Sequence, residues 1–134
     1  MQHRVFGRTG RRVGAIGFGG WQIAGSWGPV DERQAIGAIH AALDAGIDVF
    51  DTADVYGDGR SEQLIGKALR GRAGARPFVA TKMGRRSRPH VAESYTAEAM
   101  AGFVGRSLKN LETDALDLVQ LHCPPTSMYD GDEV

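Results

Sequence analysis

Disulfide chemistry is missing from this chain. Cys123 is its only cysteine, so no internal cross-link can form, and the reducing cytoplasm is the expected compartment. An excess of charge of one sign is missing too. The 16 Lys and Arg balance 16 Asp and Glu, giving a formal net charge of zero. A nucleic-acid binder needs basic residues in excess to face the phosphates, so that class is set aside. No apolar run approaches the ~20 residues of a membrane span. The start, Met1-Gln2-His3-Arg4, leads into no apolar stretch of signal-peptide length. His3, His40, His90 and His122 lack ligand spacing and Cys123 has no thiol partner, so no metal is expected. No internal repeat, low-complexity tract or interdomain linker stands out, and 134 residues suit one small domain. Glycine, by contrast, is abundant. The 19 glycines are about twice the ~7% of an average protein, which points to tight turns and close backbone approaches.

The apolar pattern alternates between two periods. His3 to Val13 reads as a hairpin around the turn-rich Gly7-Arg8-Thr9-Gly10. Ala15-Ile16-Gly17-Phe18 reads as a buried strand, and Gly19 to Val30 as a loop. Asp31 to Ala45 has helical spacing, with Asp31 as N-cap and Gly46 placed to end it in the left-handed region. Ile47 to Phe50 is a strand ending in Asp51. A helix follows from Ser61, its expected cap, to Leu69. Pro77 to Thr81 is a strand ending in Lys82, and Gly84 to His90 a solvated basic loop. Thr96 to Leu111 is a third helix, and Leu116 to Leu121 a strand ending at His122 before Cys123-Pro124-Pro125 halts it. Asp130 to Val134 resembles a helix start. Strands alternating with helices predict an α/β fold with four parallel strands, three helices and an N-terminal β-hairpin.

In such folds ligands gather at the carboxyl ends of the strands. Three strands here end in Asp51, Lys82 and His122, and Tyr56 lies five residues past Asp51 in the following loop. Singly, each has a bland reading: a loop-capping carboxylate, a solvated lysine, a satisfied histidine, a packed aromatic. Together they make coherent chemistry. A free phenol, with a pKa near ~10, is a poor proton donor at neutral pH. A nearby ammonium favours phenolate, a carboxylate keeps the ammonium charged and in place, and an imidazole can donate to a carbonyl oxygen. The set suits protonation of a carbonyl oxygen while hydride attacks the carbon. It contains no hydride source, so a nicotinamide cofactor would have to supply one.

These residues resemble a known family. The run from Gly46 to Gly57, which contains Asp51-Thr52-Ala53-Asp54-Val55-Tyr56-Gly57, followed by Ser61-Glu62-Gln63-Leu64-Ile65-Gly66, is similar to the first signature of the aldo-keto reductases. Gly7-Arg8-Thr9-Gly10, Ile16-Gly17-Phe18-Gly19-Gly20-Trp21, Ala80-Thr81-Lys82 and Asp117 to His122 fit the same pattern. The run from Tyr56 to Glu62 resembles the bacterial branch akin to potassium-channel β subunits. The resemblance implies the N-terminal half of a (β/α)₈ TIM barrel whose hairpin plugs the bottom. It implies reduction of aldehydes or ketones by NADPH, with NADH as the alternative. Tyr56 would be the proton donor, Lys82 the ammonium that eases loss of its proton, Asp51 the partner of Lys82, and His122 the group orienting the carbonyl. Gly20, where the family more often has threonine, would approach the nicotinamide with Trp21, and Asp51 would also serve the cofactor. Trp21 and Trp27 would wall the substrate pocket.

Length is where the resemblance departs from its pattern. A closed barrel takes ~250 residues, and the 134 here form one incomplete domain, residues 1–134. The expected partners are a small carbonyl substrate and a missing C-terminal half-barrel, with no nucleic acid and no membrane. Alone, the chain is expected to be marginally stable, aggregation-prone and inactive. Two other functions fit less well. A non-catalytic assembly subunit could use the same scaffold. A Rossmann-type dinucleotide domain would use Gly17-Phe18-Gly19 and Asp51, but Gln22 stands where its third glycine belongs and Asp51 comes too late. Cys123 has no second base to make it a nucleophile, and Arg85-Arg86-Ser87-Arg88 reads as solvated rather than phosphate-binding.

Overall fold

The computed structural model describes residues 1–129. Two short strands, β1 (His3–Val5) and β2 (Arg12–Gly14), form the antiparallel hairpin, with His3 opposite Gly14 and Val5 opposite Arg12. The main sheet is parallel and runs in the order β3 (Phe18–Gly19), β4 (Val49–Asp51), β5 (Phe78–Met83), β6 (Leu118–Leu121). Helices α1 (Glu32–Asp44), α2 (Arg60–Leu69) and α3 (Ala97–Leu111) make the crossovers between them. Each strand lies beside the next in sequence, which is the connectivity of the first half of a (β/α)₈ barrel.

The helices form where the apolar spacing places them. Asp31 caps α1, its carboxylate accepting from the backbone amides of Arg33 and Gln34, and Gly46 sits just beyond its end at φ 84°. Thr96 caps α3 by accepting from the Ala99 amide. Ile39, Phe50, Leu64, Ile65 and Val79 are fully or almost fully buried between α1, α2 and the sheet. Each such side chain contributes about 1.5–3 kcal/mol. The hairpin residues His3–Val5 are exposed, so the helix–sheet layer holds the fold.

The hairpin lies across the amino ends of the strands. The Asp48 carboxylate, just before β4, accepts from the Gly14 amide at 2.7 Å and pairs with His3 Nε2 at 3.1 Å. Phe6 packs on Phe78 with ring centroids 5.3 Å apart, and Arg11 pairs with Asp117 at 3.3 Å. The opposite end of the sheet is left open.

Strands β4, β5 and β6 begin one or two residues later than the sequence predicts, and other details differ as well. The first strand is Phe18–Gly19, not Ala15 to Phe18: Ile16 points outward, and pairing with β4 begins only at Phe18 opposite Phe50. Ser61 is not the cap of α2. Gly59, at φ 93°, occupies that position without a side-chain bond, and the Ser61 hydroxyl is used elsewhere. β5 runs on through Lys82 and Met83, because β6 pairs with it as far as Met83 opposite Leu121. The basic loop is only partly solvated, since Gly84 and Ser87 are buried. The expected helix start at residues 130–134 lies outside the described residues.

Candidate active site

Asp51 ends β4, Lys82 lies near the end of β5 and His122 follows β6, so parallel pairing brings all three to one rim. Tyr56 reaches the same rim because the chain turns sharply after β4, with the Tyr56 amide donating to the Ala53 carbonyl at 3.1 Å. Three consecutive left-handed residues, Gly57, Asp58 and Gly59, then redirect the chain into α2. Arg86 and Arg106 both pair with the Asp58 carboxylate and hold that turn from outside.

The Lys82 ammonium has three protons and three acceptors. It donates to Asp51 Oδ1 at 2.6 Å, to the Thr52 carbonyl at 2.8 Å and to the Tyr56 hydroxyl oxygen at 3.4 Å. Its position is therefore fixed by backbone as well as by carboxylate. The Tyr56 ring meets the His122 ring edge-on, at 5.8 Å between centroids and 88° between planes. It also stacks with Trp21 at 6.2 Å, and Trp21 in turn packs on Trp27 at 5.1 Å. The four residues singled out at the strand ends and the two tryptophans thus form one cluster.

His122 is held by its backbone, whose amide donates to the Met83 carbonyl at 2.8 Å. Its Nδ1 is buried and finds no partner among the described residues. Burial first, then the positive charges of Lys82 and Arg85, lower its pKa below 6.5, with Asp51 pulling the other way. These surroundings favour the neutral imidazole, which keeps one N–H to donate.

A cleft of about 410 Å³ opens over this cluster, lined by Trp21, Ser26, Val55, Tyr56, Arg85 and His122. That volume suits a small organic molecule. A second cavity, of about 230 Å³, lies at the other end among Arg70, Arg72 and Arg76, whose guanidiniums are all paired with carboxylates.

Gly20 is held through both its amide and its carbonyl. Its amide donates to the Asp51 carbonyl at 2.7 Å and its carbonyl accepts from the Ser61 hydroxyl at 2.8 Å. A Cβ there would come within 2.5 Å of Ser61 Oγ. The close approach requires glycine. The Ser61 hydroxyl also accepts from Thr52 at 2.8 Å, which joins α2, β4 and the first loop. Trp27 is largely exposed and touches the cleft only through Trp21.

Arg85, read from the sequence as part of a solvated loop, is exposed and also lines the cleft. The sequence reading missed the Thr52 carbonyl, since backbone acceptors leave no mark in residue type. A second omission is Asp54, inside the motif itself. Asp54 is fully buried, and neither carboxylate oxygen has a side-chain hydrogen-bond partner among the described residues. Burial, reinforced by neighbouring Glu62, raises its pKa to about 6 against the pull of Arg86 and Arg106. Among the described residues, no group of three or more His, Cys, Asp or Glu is placed to hold a metal ion. No helix among them is long and apolar enough to cross a membrane.

Comparison with known proteins bears on this arrangement. Residues 15–132 match the Aldo/keto reductase family. The chain is 40% identical over 128 residues to aldo-keto reductase YhdN of Bacillus subtilis, covering 92% of this chain and 38% of that protein. It is 35% identical over 135 residues to a probable voltage-gated potassium channel subunit beta of Oryza sativa subsp. japonica, again covering 92% and 38%. Among solved structures, the thermostable aldo-keto reductase Tm1743, in complex with the inhibitor epalrestat, superposes with a TM-score of 0.80 at 29% identity, over 95% of this chain and 44% of that one. An aldo-keto reductase from Klebsiella pneumoniae in complex with NADPH gives a TM-score of 0.69 at 32% identity, over 87% and 37%. The chain thus spans about two fifths of the length of the relatives it matches.

Proposed function

Since this chain belongs to the aldo/keto reductase family, we propose that it carries the proton-transfer half of a carbonyl reductase site. The reaction is reduction of an aldehyde or ketone to an alcohol, and the carrying observation is the Lys82 ammonium held 3.4 Å from the Tyr56 hydroxyl. The carbonyl oxygen enters the cleft beside Tyr56 and His122. Tyr56 gives its hydroxyl proton to that oxygen as the O–H of the alcohol forms. The Lys82 ammonium stabilises the phenolate left behind, and Asp51 keeps the ammonium charged and pointed at the ring. Neutral His122 donates a hydrogen bond to the carbonyl oxygen and fixes its angle of approach. Trp21 lines one wall of the cleft and Trp27 backs it, keeping water from part of the site.

A nicotinamide cofactor, NADPH or alternatively NADH, supplies the hydride when bound. The residues present fit it: the cleft already brings a proton donor and a neutral hydrogen-bond donor together, lacks any hydride source, and is walled by the flat face of Trp21. The Klebsiella pneumoniae relative, solved with NADPH, supports the same choice. On this reading Trp21, from the cleft wall, and Asp51, through its pair with Lys82, would border the nicotinamide. Gly20 acts behind them, by fixing the loop.

We further assign residues 1–134 to a single incomplete domain that works together with a C-terminal half-barrel, in the cytoplasm. The similarity to a potassium channel β subunit supports a second reading, as an assembly subunit on the same scaffold. The test is NADPH oxidation driven by an aromatic aldehyde, in the protein that carries this segment. The Tyr56→Phe variant is expected to lose roughly 10²–10⁴-fold in kcat. Reduction that survives this substitution unchanged removes Tyr56 as the donor and favours the assembly role.

A further inference from the structure

Arg85 stands apart from the other arginines around the cleft. Arg86 bonds to Asp58 and to the Asp54 carbonyl, Arg106 to Asp58, Arg60 to the Val30 carbonyl, and Arg88 to the carbonyls of Arg85 and Ser87. Each is committed inside the fold. The Arg85 guanidinium, by contrast, is exposed and makes no hydrogen bond or ion pair among the described residues, while it lines the same cleft as Tyr56 and His122. Among the six side chains that line the cleft, it is also the only one with a permanent charge. The nearby Lys82–Asp51 pair cancels its own charge.

Its backbone is nevertheless fixed. Gly84 is buried and lies so close to the Tyr95 ring that a Cβ there would come within 2.5 Å of it. The Ser87 amide donates to the Gly84 carbonyl at 2.9 Å, closing a turn around Arg85. A rigid turn therefore presents a free guanidinium at the mouth of a site built for a carbonyl group. The planar fork of a guanidinium binds carboxylate or phosphate in bidentate fashion.

We propose that Arg85 is the specificity-determining residue of an anion subsite, and that the preferred substrates are aldehydes or ketones bearing a carboxylate or phosphate away from the carbonyl. This rests on the reductase reading above. It also accounts for a cleft whose lining is aromatic and neutral apart from one uncommitted cation.

The experiment uses substrate pairs that differ in charge but keep the same carbonyl. 4-Formylbenzoate is compared with its methyl ester, and glycolaldehyde phosphate with glycolaldehyde, in the protein that carries this segment. The kcat/KM ratio of charged to neutral member is expected to be about tenfold or more in one pair, which identifies the anion, and to shrink at high salt. Arg85→Gln is expected to bring that ratio close to one, and Arg85→Lys to retain part of it. Ratios near one in both pairs, or an Arg85→Gln variant that keeps the wild-type ratio, overturn the proposal. If no aldehyde is reduced at all, the reductase reading fails separately, and binding then decides on Arg85. Benzoate, phenyl phosphate and benzamide are titrated against the fluorescence of Trp21 and Trp27. Tighter binding of an anion that Arg85→Gln weakens about tenfold sustains the subsite, and equal binding of all three removes it.

Discussion

Ser61 donates its hydroxyl proton to the Gly20 carbonyl at 2.8 Å, across 41 positions of sequence. That bond joins the start of α2 to the loop that carries Trp21. The space between them holds no further atom, since a Cβ on Gly20 would come within 2.5 Å of Ser61 Oγ and 3.1 Å of the Asp51 carbonyl. Gly20→Ala is therefore expected to cost about 1–3 kcal/mol by overpacking. Urea denaturation of the protein that carries this segment measures the loss, and a variant as stable as wild type would mean that the loop yields freely.

Lys82→Met keeps most of the side-chain volume but removes the ammonium from all three of its acceptors. The Asp51 carboxylate and the Tyr56 hydroxyl lose their common partner. The expected result is a fall in kcat of roughly 10²-fold or more, with a much smaller change in melting temperature because Asp51 can turn to water. A parallel collapse in stability would instead make Lys82 a structural residue.

Much of this was legible before any coordinates. Asp31, Thr96 and Gly46 mark helix ends by side-chain chemistry and backbone conformation, and those marks are local. Asp51, Lys82 and His122 are legible because each closes an apolar run, and parallel pairing then gathers strand ends at one rim. What escaped is what depends on distance in space. Ser61 has the residue type of a cap, yet the left-handed Gly59 starts α2 and frees the Ser61 hydroxyl for Gly20. Arg85 looks like one arginine in a basic loop, until Arg86 is seen tied to Asp58 and Arg88 to its own loop. Asp54 reads as a polar motif residue, and only packing shows it buried.

Asp54 should make stability depend on pH in the reverse of the usual sense for a carboxylate. Its pKa is raised from 3.8 to about 6 on folding, so between those values the folded state holds a proton that the unfolded state has released. Its contribution is therefore most favourable below about pH 4 and is lost as pH rises through about 6. Relative to Asp54→Asn, wild type is expected to gain up to about 3 kcal/mol in unfolding free energy on acidification across that window. A difference that stays flat with pH would show that Asp54 ionises without penalty.

His122 should titrate below 6.5, because burial and the charges of Lys82 and Arg85 disfavour its protonated form. Its NMR titration midpoint is the direct measure. Arg85→Gln is expected to move that midpoint upward, and His122→Gln, which keeps a neutral donor, to retain more activity than His122→Ala. A midpoint above the ordinary histidine value would reverse the assignment of His122 as a neutral donor.

Among the described residues β3 pairs only with β4, and β6 only with β5, so two strand edges are open. The 134-residue chain on its own is therefore expected to bind a hydrophobic dye and to self-associate, with a broad thermal transition. Sedimentation together with calorimetry distinguishes this from a monomer with a sharp melt and tight NADPH binding, which would refute it.

The hairpin sits at the end of the sheet away from Tyr56, clasped by Asp48 and Asp117. An attachment made on the hairpin would therefore emerge facing away from the cleft. Anchoring the protein to a surface through the hairpin should leave the cleft turned toward the solution, whereas a fusion inserted near Arg85 would stand in its path.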